Sequence, residues 1–438
     1  MDYHNKLVLL LLILLIQGHI AYEIPNIALQ AFTPSGLRIS VPADPEIKLF
    51  GVHFNINKDI HELETGEYNE DISRPENGKF TYFNPTLKLK EGDTVYYWVY
   101  LQVGDLGYKK DGEKYTVTKL LSIDQFEKAR TCAPSITIVD GESSCVGEVI
   151  LDAKFVSNTI DENIWLIEQY YADEPDFEYV IYKNDSSVLT SQNNLLHIKP
   201  KVDEDIVTSN VNIDGCTRKR QHECTRVFIN LYQHPVISAR LVTKKTFSFG
   251  EYKVRAKLPK GDWLFPEIYL EDIEDLSKKI WISYARGNEE LTGNNGDDIG
   301  GKLLFGGPVV DPLEPKKSRY LKTYRNNQFI GNEMHTFSLR WTSDEMLLYI
   351  DDINYGTVSS TILKETGFNS PRKMRLVIGV GAGGPRDFPD NYKSKSYLKP
   401  WKSTSNNQVK MFFTSRSNWL PSWKDSELQV EFVKISAL

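Results

Sequence analysis

The stretch "DTVYYWVYLQV" (93–103) alternates in the manner of a strand, which places Tyr96, Trp98 and Tyr100 on one face and Tyr97 and Val99 on the other. A row of flat aromatic rings suits sugars, whose C–H faces stack on π systems while flanking polar groups take the hydroxyls. One face of such a strand must also serve as the core of a sandwich, and spacing alone leaves open which one. Asp71 in "NEDISRP" and Lys109 in "LGYKKDG" read as loop residues, each a solvated charge if taken singly. A second candidate is "PEIYLEDIEDLS" (266–277), where Glu267 and Glu271 stand four apart on one strand face. Paired carboxylates are the residue type that general acid–base work needs.

Other chemistries find no support. "GVGAGG" (379–384) follows a strand but opens into "PRDFPDN", with no helix to receive a phosphate. There is no Gly-x-Ser-x-Gly elbow and no His-Glu-x-x-His, and the eight histidines are scattered, so no cofactor or metal is expected. The net charge is −7 and no basic run appears, which argues against a nucleic-acid partner. Cys132, Cys145, Cys216 and Cys224 allow three connectivities; the local pairs 132–145 and 216–224 close short loops and are preferred. Asn184 in "KNDSS" is a glycosylation acceptor, whereas Asn84 is blocked by Pro85.

The elements that must position these residues are strands. At 438 residues the length suggests two or three domains, and the 12% aromatic share leans towards β structure. "MDYHNK" followed by ten apolar residues, Leu7 to Ile16, and a small residue at Ala21 has the form of a cleaved secretion signal over 1–21. That run is too short to cross a bilayer, which takes about 20 residues, and no later stretch is apolar enough to do so. A soluble, extracellular product is therefore expected. Short alternating runs at 36–42, 47–56, 79–83, 93–103 and 114–120, separated by turn signals, predict a small sandwich over 22–121. A polar segment, 122–131, reads as a linker. Alternation resumes in "FSFGEYKVRAKLP", "HTFSLRWTSDEMLLYIDD", "KMRLVIGVGAGG" and "ELQVEFVKISAL", which predicts a larger jelly-roll sandwich over 132–438. The fold class is all-β: an immunoglobulin-like sandwich followed by a concanavalin-like jelly roll.

The run from "YEIPNIALQAFTPSGLRISVP" through "GEYNEDISRPENGKF" to "GDTVYYWVYLQVGDLGYKKDGEKYTV" resembles the N-terminal module of insect β-1,3-glucan recognition proteins, also called Gram-negative bacteria-binding proteins, in carbohydrate-binding module family 39. The resemblance implies glucan contacts at Asp71, Trp98, Tyr100 and Lys109. Lys109 stands where the family has arginine, keeping the charge but losing the planar fork, and Glu70 stands where arginine is usual.

The second half resembles the glycoside hydrolase family 16 domain of β-1,3-glucanases, through "FSFGEYKVRAKLPKGDWLFPEIYL", "ARGN", "HTFSLRWTSDEMLLYID" and "SNWLPSWKDSELQVEFVKI". Active members carry Gly-Glu-Ile-Asp-Ile-x-Glu just before a Ser-Arg-Gly-Asn turn. A retaining glycosidase needs a nucleophilic carboxylate and a carboxylic acid about 5–5.5 Å apart, and a bulge lets the last glutamate rejoin the face of the first. Setting "ARGN" (285–288) on that turn puts Lys279, Trp281 and Tyr284 at the nucleophile, helper and acid positions. None can serve, so no hydrolysis is expected. The same register places Phe265 and Tyr269 where tryptophans are usual, makes Glu267 a replacement for alanine, and makes "EDIEDLSKK" a solvated acidic loop.

The resemblance thus implies a secreted innate-immune pattern-recognition protein of haemolymph. It would bind β-1,3-glucan or a related microbial polysaccharide and recruit serine-protease zymogens of the Toll or prophenoloxidase cascades. An active secreted glucanase and an immune scaffold without glycan affinity are the alternatives.

Overall fold

The computed structural model describes residues 22–61, 64–76, 78–123 and 132–438. The signal segment 1–21 and most of the linker, 124–131, lie outside the described residues. Contacts divide the chain into two units, 1–132 and 133–438.

Among the described residues, the first unit has eight strands: β1 (Ala28–Thr33), β2 (Leu37–Pro42), β3 (Ile47–Ile56), β4 (Tyr68–Ile72), β5 (Lys79–Asn84), β6 (Thr94–Val103), β7 (Leu106–Thr116) and β8 (Leu121–Ser122). They form two four-stranded sheets, β5-β2-β1-β8 and β4-β3-β6-β7, an immunoglobulin-like sandwich. Period 2 decides which side chains go inside. Phe50, Val52 and Phe54 of β3 stand opposite Leu101, Val99 and Tyr97 of β6, and all six are buried. Leu37, Ile39, Val41, Phe80 and Tyr82 complete the core from the other sheet. Burial pushes the Tyr97 phenol up to about 12. The intervening residues Gly51, His53 and Asn55 pair with Tyr100, Trp98 and Tyr96 on the outer face. Asp71 and Lys109 lie within β4 and β7, so the reading of both as loop residues is corrected: β4 is too short, and β7 too polar, to show as a strand in sequence.

The second unit is a jelly roll of two large sheets. One contains, in spatial order, the strands Phe247–Ser248, Met374–Ala382, Leu264–Asp272, Lys279–Tyr284, Leu303–Val309 and Lys322–Arg325, with Arg240–Thr243 and Trp165–Glu168 joined at its side. The other is centred on Gly250–Lys257 between Leu428–Ser436 and His335–Trp341. A smaller four-stranded sheet includes Tyr170–Tyr171 and Val180–Tyr182. Cys216 and Cys224 are bridged, Cys132 and Cys145 are also disulfide-bonded, and no cysteine is free. No helix among the described residues is long and apolar enough to cross a membrane.

Candidate functional site

Strand pairing brings the small unit's candidates together. Asp71 is opposite Gly51, Gly51 is opposite Tyr100, and Tyr100 is opposite Lys109, so four strands carry one straight row across the outer face. Neither Gly51 nor Gly107 has a positive φ, so conformation does not require them. Space does. A Cβ on Gly51 would lie 2.8 Å from Asp71 Oδ1, and one on Gly107 would lie 2.6 Å from the Tyr100 ring. The first glycine leaves a slot between β4 and β6, roughly two strand spacings or 9–10 Å across. The second lets the Tyr100 ring lie flat over β7. Asp71 can accept from hydroxyls, and Lys109, 2.6 Å from Asp111, can donate. An aromatic floor, a carboxylate and an ammonium around a one-residue slot are the parts of a sugar site.

Trp98 is placed differently from the expectation of an open stacking ring. It lies on the outer face but is only 8% exposed. The His53 ring stacks on it at 3.9 Å with the planes 7° apart, and its indole N–H donates to the Glu64 carbonyl at 2.8 Å. Asn55 holds the same 57–67 loop, donating to the Asp59 carbonyl and accepting from the Glu67 amide. The outer face therefore has a covered half built on Trp98, His53 and Asn55, and an open half built on Gly51, Asp71, Tyr100 and Lys109. Glu70 pairs with the core residue Val52, on the face opposite Asp71, so its departure from the family pattern leaves the row untouched. His53 and the two glycines were missed in sequence, because cross-strand neighbours follow from pairing rather than from local spacing.

In the large unit, Lys279, Trp281 and Tyr284 share one sheet face, and a register shift between Trp281 and Tyr284 brings their rings into a stack at 4.1 Å. All three are buried. The Lys279 ammonium pairs with Asp176; although burial opposes its charge, Asp176 and Glu271 raise its pKa. Tyr284 donates to Asp387 at 3.0 Å, and burial raises its phenol far above the usual value. Lys317 bonds the same carboxylate at 2.7 Å, with its ammonium over the Trp281 ring. The "ARGN" turn is kept: Arg286 donates to the Asp387 carbonyl, and Asn288 donates to Ser394 and Asp262.

Glu271 corrects a second expectation, whereas Glu267 lies on a strand as expected. Both are on the Leu264–Asp272 strand, 3% exposed for Glu267 and 2% for Glu271, so Glu271 is not part of a solvated loop. Arg240 is the reason: it pairs with Glu168, lies 3.7 Å from Glu267, and holds Glu271 at 2.8 Å. Arg218 and Arg375 join through Glu168 and Glu271. Four cations (Arg218, Arg240, Lys279, Arg375) thus meet five carboxyl groups (Glu168, Asp176, Glu178, Glu267, Glu271). Burial and the neighbouring Asp176 and Glu267 push Glu178 up to about 8, which favours its neutral form at pH 7. Burial also raises Glu267, against Arg240 and Lys279, whereas Arg240 and Lys279 outweigh burial at Glu271 and bring it to about 2. This face is buried and ion-paired.

Asn184 is exposed, its amide N–H donating to Gln169. Among the described residues, no cluster of three or more His, Cys, Asp or Glu is arranged to hold a metal ion.

A family model, CBM39, described as a carbohydrate binding domain (family 32), matches residues 23–134. A β-1,3-glucan-binding protein of Tenebrio molitor is 31% identical, over 95% of this chain and 96% of the relative. The chain belongs to the β-1,3-glucan-binding protein family. A second family member, from Hyphantria cunea, is 31% identical with the same coverage, and Gram-negative bacteria-binding protein 1 of Drosophila melanogaster is 27% identical over 95% of this chain and 96% of that one. The chain is also similar to the solved laminarinase of Rhodothermus marinus, at 14% identity and a TM-score of 0.45, covering 67% of this chain and 98% of that one. In this member of the β-1,3-glucan-binding protein family, the whole Asp71–Gly51–Tyr100–Lys109 row falls inside the matched residues.

Proposed function

We propose that this protein is a secreted recognition protein that binds β-1,3-glucan, or a related microbial polysaccharide, through the open half of the small unit's outer sheet and does not cleave it. The row Asp71–Gly51–Tyr100–Lys109 carries this reading, because it combines a flat aromatic floor with charged hydroxyl partners on one exposed face. Tyr100 stacks on a glucose ring, Asp71 and Lys109 take hydroxyls, and Trp98 supports the edge of the site from beneath the 57–67 loop. Each contact is modest, and a polymer multiplies them by presenting many equivalent rings. In the large unit the catalytic carboxylates are missing: Lys279, Trp281 and Tyr284 hold their places, and the surrounding face is filled by its own ion pairs. That unit serves as a scaffold, and recruitment of serine-protease zymogens would follow from clustering on the polymer. Secretion follows from the 1–21 segment, and Asn184 is the glycan acceptor.

Full-length protein incubated with curdlan and separately with laminarin tests this. Retention on curdlan with no reducing ends released from laminarin above a buffer blank is expected. Sustained release would overturn the reading of Lys279, Trp281 and Tyr284.

A further inference from the structure

His53 stands on the border between the covered and open halves of the outer face, and its two ring nitrogens have different surroundings. Nδ1 is 3.1 Å from the Thr65 carbonyl, which can only accept, so Nδ1 carries the hydrogen. In the neutral ring Nε2 is then a lone-pair acceptor. Nε2 has no hydrogen-bond partner among the described residues and points to the slot: a Cβ on Gly51 would lie 3.9 Å from it and 2.8 Å from Asp71 Oδ1. The stack on Trp98, with the planes 7° apart, fixes the ring so that this edge cannot turn away. Two acceptors of different charge, Asp71 and His53, therefore converge over one glycine, beside the flat Tyr100 ring.

We infer that His53 is a specificity-determining residue of this face, its Nε2 accepting a hydroxyl of the sugar ring that stacks on Tyr100 while Asp71 accepts another. This deepens the glucan-binding reading and rests on it. A site with two acceptors over a one-residue slot selects a neutral hexose that offers two hydroxyl donors there. It disfavours a sugar bearing a carboxylate or sulfate at that place, which would face Asp71 with like charge.

The test is affinity for laminarin, by titration calorimetry on full-length protein at pH 7.5, for wild type, His53→Phe, His53→Gln, Asp71→Ala and Tyr100→Ala. Phenylalanine keeps the ring stack on Trp98 and removes both nitrogens. A loss of about tenfold at pH 7.5 is expected for His53→Phe, the size of one hydrogen bond made to ligand. His53→Gln, which loses the ring but keeps an acceptor oxygen, should bind more tightly than His53→Phe, whereas a merely structural His53, needed only for its stack on Trp98, would give the opposite order. Wild-type affinity in His53→Phe, or weaker binding in His53→Gln than in His53→Phe, with Asp71→Ala and Tyr100→Ala weakened, would overturn the role of His53 and leave the glucan site standing. Unchanged affinity in Asp71→Ala and Tyr100→Ala as well would overturn both.

Discussion

Two rows of polar side chains cross β-sheets in this chain, and they differ in what stands beside them. Along Asp71–Gly51–Tyr100–Lys109 a glycine on β3 leaves space over which the exposed Asp71 carboxylate leans. Around Arg240, Glu267, Glu271 and Lys279 opposite charges face one another, and the whole set is buried. A buried charge must be paired within the protein because desolvation is so costly. An exposed charge beside a gap keeps its hydrogen-bonding capacity for a ligand. The large unit's sheet buries its charged groups against one another, whereas the small unit's outer sheet leaves Asp71 exposed beside a glycine.

That contrast can be broken most severely at Arg240. Arg240→Ala leaves Glu168, Glu267 and Glu271 short of their shared cation and should cost roughly 3–5 kcal/mol of stability, seen as a large fall in the thermal midpoint. Asp71→Ala, the matching deletion in the open row, should change stability by no more than about 0.5 kcal/mol. Equal costs would erase the distinction between the rows.

The pH dependence sharpens it next. Glu178 is raised to about 8 when folded, so its stabilising contribution is complete below the ordinary glutamate range near 4.5. That contribution is lost as pH rises towards 8, because the unfolded chain ionises while the folded one stays neutral. Denaturant unfolding of wild type against Glu178→Gln should show a difference that grows by several kcal/mol between pH 5 and 8 and then levels off. Glu271, lowered to about 2, acts in the opposite sense: its contribution, roughly 3 kcal/mol, is present above pH 4.5 and is lost as pH falls through 2. A parallel pair of curves for wild type and Glu178→Gln would show that Glu178 is not held neutral.

The smallest effect belongs to Lys109. Lys109→Arg restores a planar fork at the end of the open row and should tighten laminarin binding about two- to threefold, with no change in stability. Weaker binding would mean that the pairing with Asp111, rather than the sugar, fixes the choice of lysine.

Much of this was legible in sequence. Alternation in 47–56 and 93–103 placed β3 and β6, and it separated Tyr97 and Val99 from Tyr96, Trp98 and Tyr100 correctly by face. The resemblance to the family 16 strand implied a bulge before Tyr284, and a register shift stands there, between Trp281 and Tyr284. What sequence could not show was pairing between distant strands. Trp98 looked like an open ring because nothing local indicates that His53, 45 residues earlier, stacks on it. Glu271 looked solvated because Arg240 arrives from a separate strand. Glycines 51 and 107 acquire meaning only once β3, β6 and β7 are in register around Tyr100.

Retention of full-length protein on curdlan, compared between wild type and Tyr100→Ala at neutral pH, bears most directly on the open row as the glucan site. Loss of most of the bound protein in Tyr100→Ala, with an unchanged thermal midpoint, is the expected result. Equal retention of the two proteins would contradict it.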